Sequence, residues 1–447
     1  MANAIVRKAG MKGRWGGSAH ASSNGLQVET GVAACGRGRP HPRKKASGGE
    51  DAHFAVVSED LSTAVLGVAD GVGGYAERGV DSGDYARVLC LAAADCVASE
   101  TTLSLREVLR DAHETAQLPG AATACFARLH GDYVEGVVIG DAGARVIRNN
   151  EVLLSTSAQY HAFDQPYQLA HAPPSGKPDT PDDTSTFELD GLDVNDVVIV
   201  ASDGLFDNVF DSEIASVIES TQFGSNDGDV DNATTTVAGR LLQLADERAS
   251  NTVADTPRAR ELVKEREKQP KGGPMRGGGA GLLRGLANFG GSNSSNNDSE
   301  NGGGGGGKQD DITIVVGLVS DKKRCEESLR RSREGCISHV EQTREMMRPA
   351  MAKMERRKQL RAKVEGAFTE AVEGTPAKTE DALEEQPLFS REEVEQMDKA
   401  RLRSELEALG LPTSGRVERL RLRLAAVKQD PEGASSKGQQ SRKESSK

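Results

Sequence analysis

Thr63-Ala64-Val65-Leu66-Gly67-Val68-Ala69-Asp70-Gly71-Val72-Gly73-Gly74 is the stretch on which the reading of this chain turns. The apolar run from Thr63 to Ala69 predicts a buried strand. Asp70 then stands at its tip, followed by glycines that would let a metal ion approach the backbone. Alone, Asp-Gly after such a run reads first as a hairpin turn. Three other acidic stretches change that reading: Gly49-Glu50-Asp51-Ala52-His53, Ser202-Asp203-Gly204-Leu205-Phe206-Asp207-Asn208 and Lys308-Gln309-Asp310-Asp311-Ile312-Thr313. Each lies at the edge of an apolar, β-branched run.

Carboxylates beside glycines, without a matching His or Cys cluster, suit a hard divalent cation with oxygen ligands. His53, His113, His130 and His161 are scattered along the chain, which argues against zinc. Two such cations a few ångströms apart can share a bridging hydroxide and clamp an oxyanion, an arrangement suited to phosphoryl transfer to water.

Outward from these motifs, 447 residues allow one large domain and something smaller. A hydrophobic content of 36% and a mean hydropathy of −0.51 are low for a chain compact throughout, so part of it is expected to be solvated. The net charge of −12 gives no global attraction for nucleic acid, which would need a local basic patch. The six cysteines form neither a CxxC pair nor a disulfide framework, which points to a reducing compartment. No apolar run reaches the roughly 18 residues of a membrane span. The expectation is a soluble, intracellular monomer without a membrane partner.

Residues 1–24 are basic and rich in Gly and Ser, and read as a disordered tail rather than a transit peptide. Between 25 and 320, strands are expected at Phe54–Val57, Ala64–Ala69, Val134–Gly140, Ala144–Ile147, Thr186–Leu189 and Val197–Ala201. Helices are expected at Ser82–Val97, Leu105–Leu118, Ser212–Ile218 (after an Asp211/Ser212 cap) and Ala233–Ala249. Strands and helices do not alternate strictly, so a layered α+β fold is favoured over a doubly wound parallel sheet.

Residues 272–308 are dominated by Gly, Asn and Ser and predict a flexible insertion. Gly302 to Gly307 followed by Lys308 imitates a phosphate-binding loop, but Gln309 replaces the required hydroxyl and a strand follows where a helix should. Ile312–Val319 is the last strand expected. The span 321–388 reads as a charged helical segment broken at Pro349, then an acidic linker. The apolar seam of Met347, Met351, Met354, Leu360, Val364 and Phe368 is narrow, as in a solvated helix or coiled coil. Residues 389–428 form a small helix–turn–helix opened by a Ser390/Glu393 capping box, and 429–447 a polar tail.

Taken together, Gly49-Glu50-Asp51-Ala52, Val68 to Gly74, Ile139-Gly140-Asp141-Ala142-Gly143, Ser202 to Asn208 and Asp310-Asp311-Ile312-Thr313 occur in the order seen in metal-dependent type 2C protein phosphatases. Gln159-x-His161-x-Phe163-x-x-Pro166-Tyr167-Gln168-Leu169 resembles the plant and mitochondrial branch of that family. The resemblance implies an αββα sandwich, two packed antiparallel sheets with helices on both outer faces. It implies two Mg²⁺ or Mn²⁺ ions, with Asp70 bridging them and the Gly71 carbonyl on one. Asp203 and Asp310 would complete the other ion's ligands, and Glu50 and Asp51 would hold water around the ions. Asp141 and Asp207 match positions for a third, weaker ion, and Asp311 stands behind the ligands where many relatives carry Asn. The implied substrates are phosphoserine and phosphothreonine proteins.

Two departures stand out. Val72 occupies the place where many relatives carry a His proposed as general acid, and Ala46 the place of a phosphate-gripping Arg. Phosphate binding would then fall to the metals or to Arg43, Lys44 or Lys45. The competing reading is a pseudophosphatase acting as a nucleic-acid or phosphoprotein scaffold.

Residues 395–428 resemble the SAP domain, a small nucleic-acid-binding unit, through Leu402, Leu406, Gly410 to Gly415, Leu420 and Leu424. Thr413, Arg416, Arg419 and Arg421 are its candidate phosphate contacts, near the amides that open the second helix. DNA or RNA is the partner this implies, and the nucleus the favoured address over cytoplasm, plastid or mitochondrion.

Overall fold

The buried run ahead of Asp70 lies in the middle of a sheet, as its lack of polar positions requires. The computed structural model describes residues 29–44, 48–99, 103–171, 178–221, 229–268, 306–372 and 401–402. In chain order the strands are β1 (Thr30–Arg39), β2 (Ala52–Val57), β3 (Thr63–Gly71), β4 (Gly120–His130), β5 (Tyr133–Ile139), β6 (Gly143–Arg148), β7 (Glu151–Ser155), β8 (Tyr160–Ala162), β9 (Gln165–Pro166), β10 (Leu169–His171), β11 (Ser185–Asp190), β12 (Val197–Ala201) and β13 (Ile312–Asp321). The helices are α1 (Ser82–Ser99), α2 (Leu105–Thr115), α3 (Asp203–Phe206), α4 (Asp211–Glu219), α5 (Val230–Ala249), α6 (Pro257–Lys268) and α7 (Lys322–Val372).

Two antiparallel sheets face each other. One runs β1-β13-β12-β6-β7, the other β11-β5-β4-β3-β2 with β10 added to β4. Leu66, Val68, Cys125 and Leu129 of the second sheet share one core with Val32, Val146, Ile199 and Val316 of the first. Helix α1 covers the outer face of β2, β3 and β4 and carries α2, while α5 covers β1 and β13. Central strands are thus buried on both faces, and every residue of β12 is buried. This is the expected αββα arrangement, with β8 and β9 as a separate two-stranded hairpin.

Several expectations are corrected. The strand expected to end at Ala69 runs on: Asp70 and Gly71 remain in β3, opposite Thr123 and Ala122 of β4, and a 3₁₀ turn over Gly73–Arg78 follows. Strand β4, the centre of its sheet, was not expected because its alanines carry little strand propensity; buried between the other sheet and α1, small size is what the position needs. Strand β1 was masked by its glycines and arginines. Helix α4 begins one residue earlier, with the Glu213 carboxylate accepting the Phe210 N–H at 3.0 Å. Helix α6 was not anticipated.

The chain divides after Arg348 into two units, and the site described below lies in the first. Helix α7 contains Pro349 rather than ending at it. Its early turns are not merely solvated: Cys325, Leu329 and Cys336 join the core, and the Ser332 hydroxyl accepts from Ala34 N–H at 2.8 Å and donates to Ala34 C=O at 2.9 Å. The apolar spacing there lies upstream of the methionine seam. The basic tail, the bulk of the Gly-rich insertion, Lys45, Ala46 and nearly all of the SAP-like unit, including Thr413, Arg416, Arg419 and Arg421, fall outside the described residues.

Candidate metal centre

The acidic motifs converge at one end of the sandwich because each lies at or next to the end of a strand. Asp70 ends β3, Asp141 follows β5, Asp203 opens α3 directly after β12, Asp51 precedes β2, and Asp310 precedes β13. Carboxylate oxygens of Asp70, Asp141 and Asp203 lie within 4.8 Å of one another. Asp310 and Asp207 adjoin this triad through a shared lysine, Lys308, whose Nζ is 3.1 Å from Asp207 and 3.2 Å from Asp310 and also contacts Asp203. The tightest cluster therefore includes Asp141, expected at a weaker site, and leaves Asp310 one step away.

Glu50 and Asp51 reach the site through a close backbone approach. Gly71 N–H donates to Glu50 C=O at 3.2 Å, and a Cβ on Gly71 would lie 2.5 Å from that oxygen, so glycine alone fits. Asp311 spends its carboxylate on backbone: one oxygen accepts from His41 N–H, the other from Glu50 N–H at 2.9 Å. It fixes the loop that carries Glu50 and Asp51. Lys44 pairs with Glu50, which is almost fully buried, and lies 3.7 Å from Asp311. An ammonium thus stands beside the 71–73 turn, two residues from where the family's arginine is expected. The backbone N–H of Arg43 donates to His41 Nδ1 at 3.1 Å.

Electrostatically the site is frustrated without a cation. Burial first, then mutual repulsion among Asp51, Asp70, Asp203, Asp310 and Asp141, holds the carboxyls of Asp51, Asp70 and Asp141 well above the usual range. Glu50 is raised by burial, partly offset by Lys44. Burial would lower Lys308, but Asp203, Asp207, Asp310 and Asp141 hold its pKa well above the ordinary lysine value.

Do these residues fit a hard cation? Among the described residues, the buried oxygens Asp141 Oδ1 and Asp203 Oδ1, and both oxygens of Asp51, have no hydrogen-bond partner of normal geometry. Orphaned buried carboxylate oxygens are costly, and those of Asp141 and Asp203 belong to the cluster with Asp70. The all-oxygen donor set suits Mg²⁺ or Mn²⁺.

Three participants escaped the sequence reading. Lys308 was seen only as part of a rejected loop motif. Tyr160, whose side chain is partly open to solvent, lies close enough to Asp141 and Asp207 that desolvation of its hydroxyl and then these charges push its pKa up. Arg258 ties α6 to the β8–β9 hairpin, pairing with Asp164 at 2.5 Å and lying 4.7 Å over the Phe163 ring, while its N–H donates to Asp207 C=O at 3.0 Å. No local pattern marks any of the three, because each acts across a long stretch of chain.

Comparison with known proteins adds the following. No family model matches the chain. The X-ray structure of the photosystem II phosphatase PBCP is 30% identical, with a TM-score of 0.51, covering 64% of this chain and 98% of that one. "Probable protein phosphatase 2C 55" of Arabidopsis thaliana is 35% identical over 221 residues, 49% of this chain and 44% of the relative. "Probable protein phosphatase 2C 80", also of Arabidopsis thaliana, is 34% identical over 185 residues, 41% of this chain and 43% of the relative. The chain spans less than half the length of these two curated relatives.

Proposed function

The chain belongs to the type 2C protein phosphatase family, and from that premise we propose that it is a Mg²⁺- or Mn²⁺-dependent serine/threonine phosphatase that hydrolyses phosphoprotein monoesters. The observation that carries this reading is the triad Asp70, Asp141 and Asp203, with buried oxygens left unpaired. Asp70, the Gly71 carbonyl, Asp203 and Asp310 are the groups that would hold two ions, and Glu50 and Asp51 would hold water around them. Bound there, the ions would supply Lewis-acid charge and lower the pKa of water at neutral pH.

The remaining tasks fall to the chain's own side chains. Lys44, held by Glu50 at the rim, offers a positive charge to the phosphate where Ala46 cannot. Val72 has no proton to give, so the leaving alkoxide takes its proton from water. Tyr160 and the β8–β9 hairpin, braced by Arg258, form the wall against which a phosphoprotein would rest. The plant relatives matched support placing the chain in the plant and mitochondrial branch.

The test is hydrolysis of a phosphothreonine peptide and an aryl phosphate with and without Mn²⁺. Asp70→Asn and Asp203→Asn should each lower turnover by about 10³-fold or more, since each removes charge where the ions bind. Activity that survives EDTA unchanged would sink the proposal. Mn²⁺ binding without turnover would favour the pseudophosphatase scaffold instead.

The finer proposal concerns residues 390–428 as a nucleic-acid tether, which would make the nucleus the working compartment. Its support is the sequence alone: Arg416 and Arg419 near the expected start of a second helix, with Arg421 further along, in a chain that is otherwise acidic. Log affinity for duplex DNA should fall with log salt by about 0.9 per phosphate contact, and R416A/R419A should flatten that slope by about two contacts' worth. A fragment that stays helical yet binds neither DNA nor RNA at low salt would make the unit a protein-interaction module.

A further inference from the structure

Lys308 meets the carboxylates from inside the cluster, and its position is built rather than accidental. A lysine drawn to acids by chance would be held only at its tip. Here the backbone is held too. Lys308 N–H donates to Asn208 Oδ1 at 2.9 Å, and Asn208 Nδ2 donates to Lys308 C=O at 2.9 Å and to Gly204 C=O at 2.9 Å. Asn208 is fully buried and belongs to the turn that carries Asp203 and Asp207, so one amide sets Lys308 in register with both acids.

The two preceding residues are seated as well. Gly307 N–H donates to Asn251 C=O at 2.9 Å. A Cβ at Gly306 would lie 2.0 Å from Thr252 O, and one at Gly307 would lie 1.9 Å from Arg248 O. Only glycine permits that approach to the end of α5. The expected insertion therefore stops short of Gly306, and its last glycines dock the lysine.

Asp203 divides its two oxygens. Oδ2 meets Lys308, while Oδ1 is buried and unpartnered within the triad with Asp70 and Asp141. We infer that the Lys308 ammonium, held by Asp203, Asp207 and Asp310 beside the Asp141/Asp207 position at which a third, weaker ion was implied, is a covalently attached third cation that takes that ion's role, so that two ions complete the centre. This rests on the metal-dependent reading above. An ammonium has three donors and a compact charge, which matches three carboxylates. A divalent ion entering there would have to shed water and expel a lysine whose backbone Asn208 holds in place.

The experiment counts Mn²⁺ on the full-length chain, by calorimetric titration and by elemental analysis after dialysis at millimolar Mn²⁺. Wild type should bind two ions. Lys308→Met should bind a third, or tighten its weakest site about tenfold or more, because a positive charge beside that site is gone. Lys308→Arg should keep the count at two. Three ions on wild type, or unchanged counts and affinities in Lys308→Met, would overturn the inference while leaving the phosphatase reading intact. The wild-type count decides by itself if Lys308→Met fails to fold. A wild type that binds no Mn²⁺ would overturn the metal-dependent reading, and the inference with it.

Discussion

Removing and restoring the cation should move thermal stability by an amount that depends on pH. Without a cation, Asp51, Asp70 and Asp141 face one another in a buried site, with Lys44 and Lys308 as the nearby ammonium groups. An ion that binds only the folded chain, at about 100 times its Kd, adds about 2.7 kcal/mol. Two ions add about 5 kcal/mol. In a domain of this size each kcal/mol moves Tm by about 2–4 °C, so Mn²⁺ should raise Tm by about 10–20 °C at pH 7.5. The sign of the pH effect follows from the raised carboxyls. A folded pKa above the unfolded one means stability that is complete below about pH 4 and lost as pH rises through the folded value. The cation-free protein is therefore weakened at neutral pH, where a cation restores most. At pH 5.5 the cation must also displace protons from carboxyls whose pKa is raised, so the Mn²⁺-induced shift should be smaller there than at pH 7.5. Differential scanning calorimetry of EDTA-stripped protein, with and without Mn²⁺ at both pH values, measures this. Equal shifts at the two pH values, or none at either, would refute the reasoning.

Deleting residues 275–305 should leave Mn²⁺-dependent stability and activity in place, since loop closure changes by only about 0.6 kcal/mol per doubling of length. Extending the deletion through Lys308 should damage both, because it removes the docked Gly306–Lys308 segment. Val72→His should change the pH profile on a phosphoserine peptide, adding a group that titrates near pH 6.5, while leaving the Mn²⁺ requirement unchanged; an unaltered profile on that substrate rejects an acid role at this position. His113, 2.7 Å from the Tyr85 hydroxyl and stacked on His171, is lowered to about 4 by burial and then by that neighbour. A lowered histidine makes the unfolded chain take the proton first, so its contribution is complete above about pH 6.5 and lost as pH falls toward 4. Urea titrations in EDTA should show His113→Gln stability to be flatter over that window, by about 1–2 kcal/mol once the ring's partial exposure is discounted; parallel curves would refute it.

By itself the sequence determined the elements whose burial is written locally. Val197–Ala201 is apolar throughout and Ile312–Val319 is apolar but for the buried Thr313 and Gly317, because strands covered on both faces have no solvent side, and that pattern survives in one dimension. The order of the acidic motifs likewise predicted carboxylates at strand ends, and Asp70, Asp141 and Asp203 do converge. Tertiary structure alone decided the rest. Whether Ala-rich Gly120–His130 is a strand depended on what packs against its two faces, which no local propensity records. That Asp311 serves the backbone of His41 and Glu50, 270 and 261 residues away, could not be read from an Asp-Asp pair. Lys308 looked like the end of a slack glycine run. It became part of the site because Asn208, 100 residues earlier, offers a buried amide that needs both a donor and an acceptor. Local pattern encodes burial, but the partner of a buried polar group is chosen by whichever distant segment the packed sheets bring within hydrogen-bond reach.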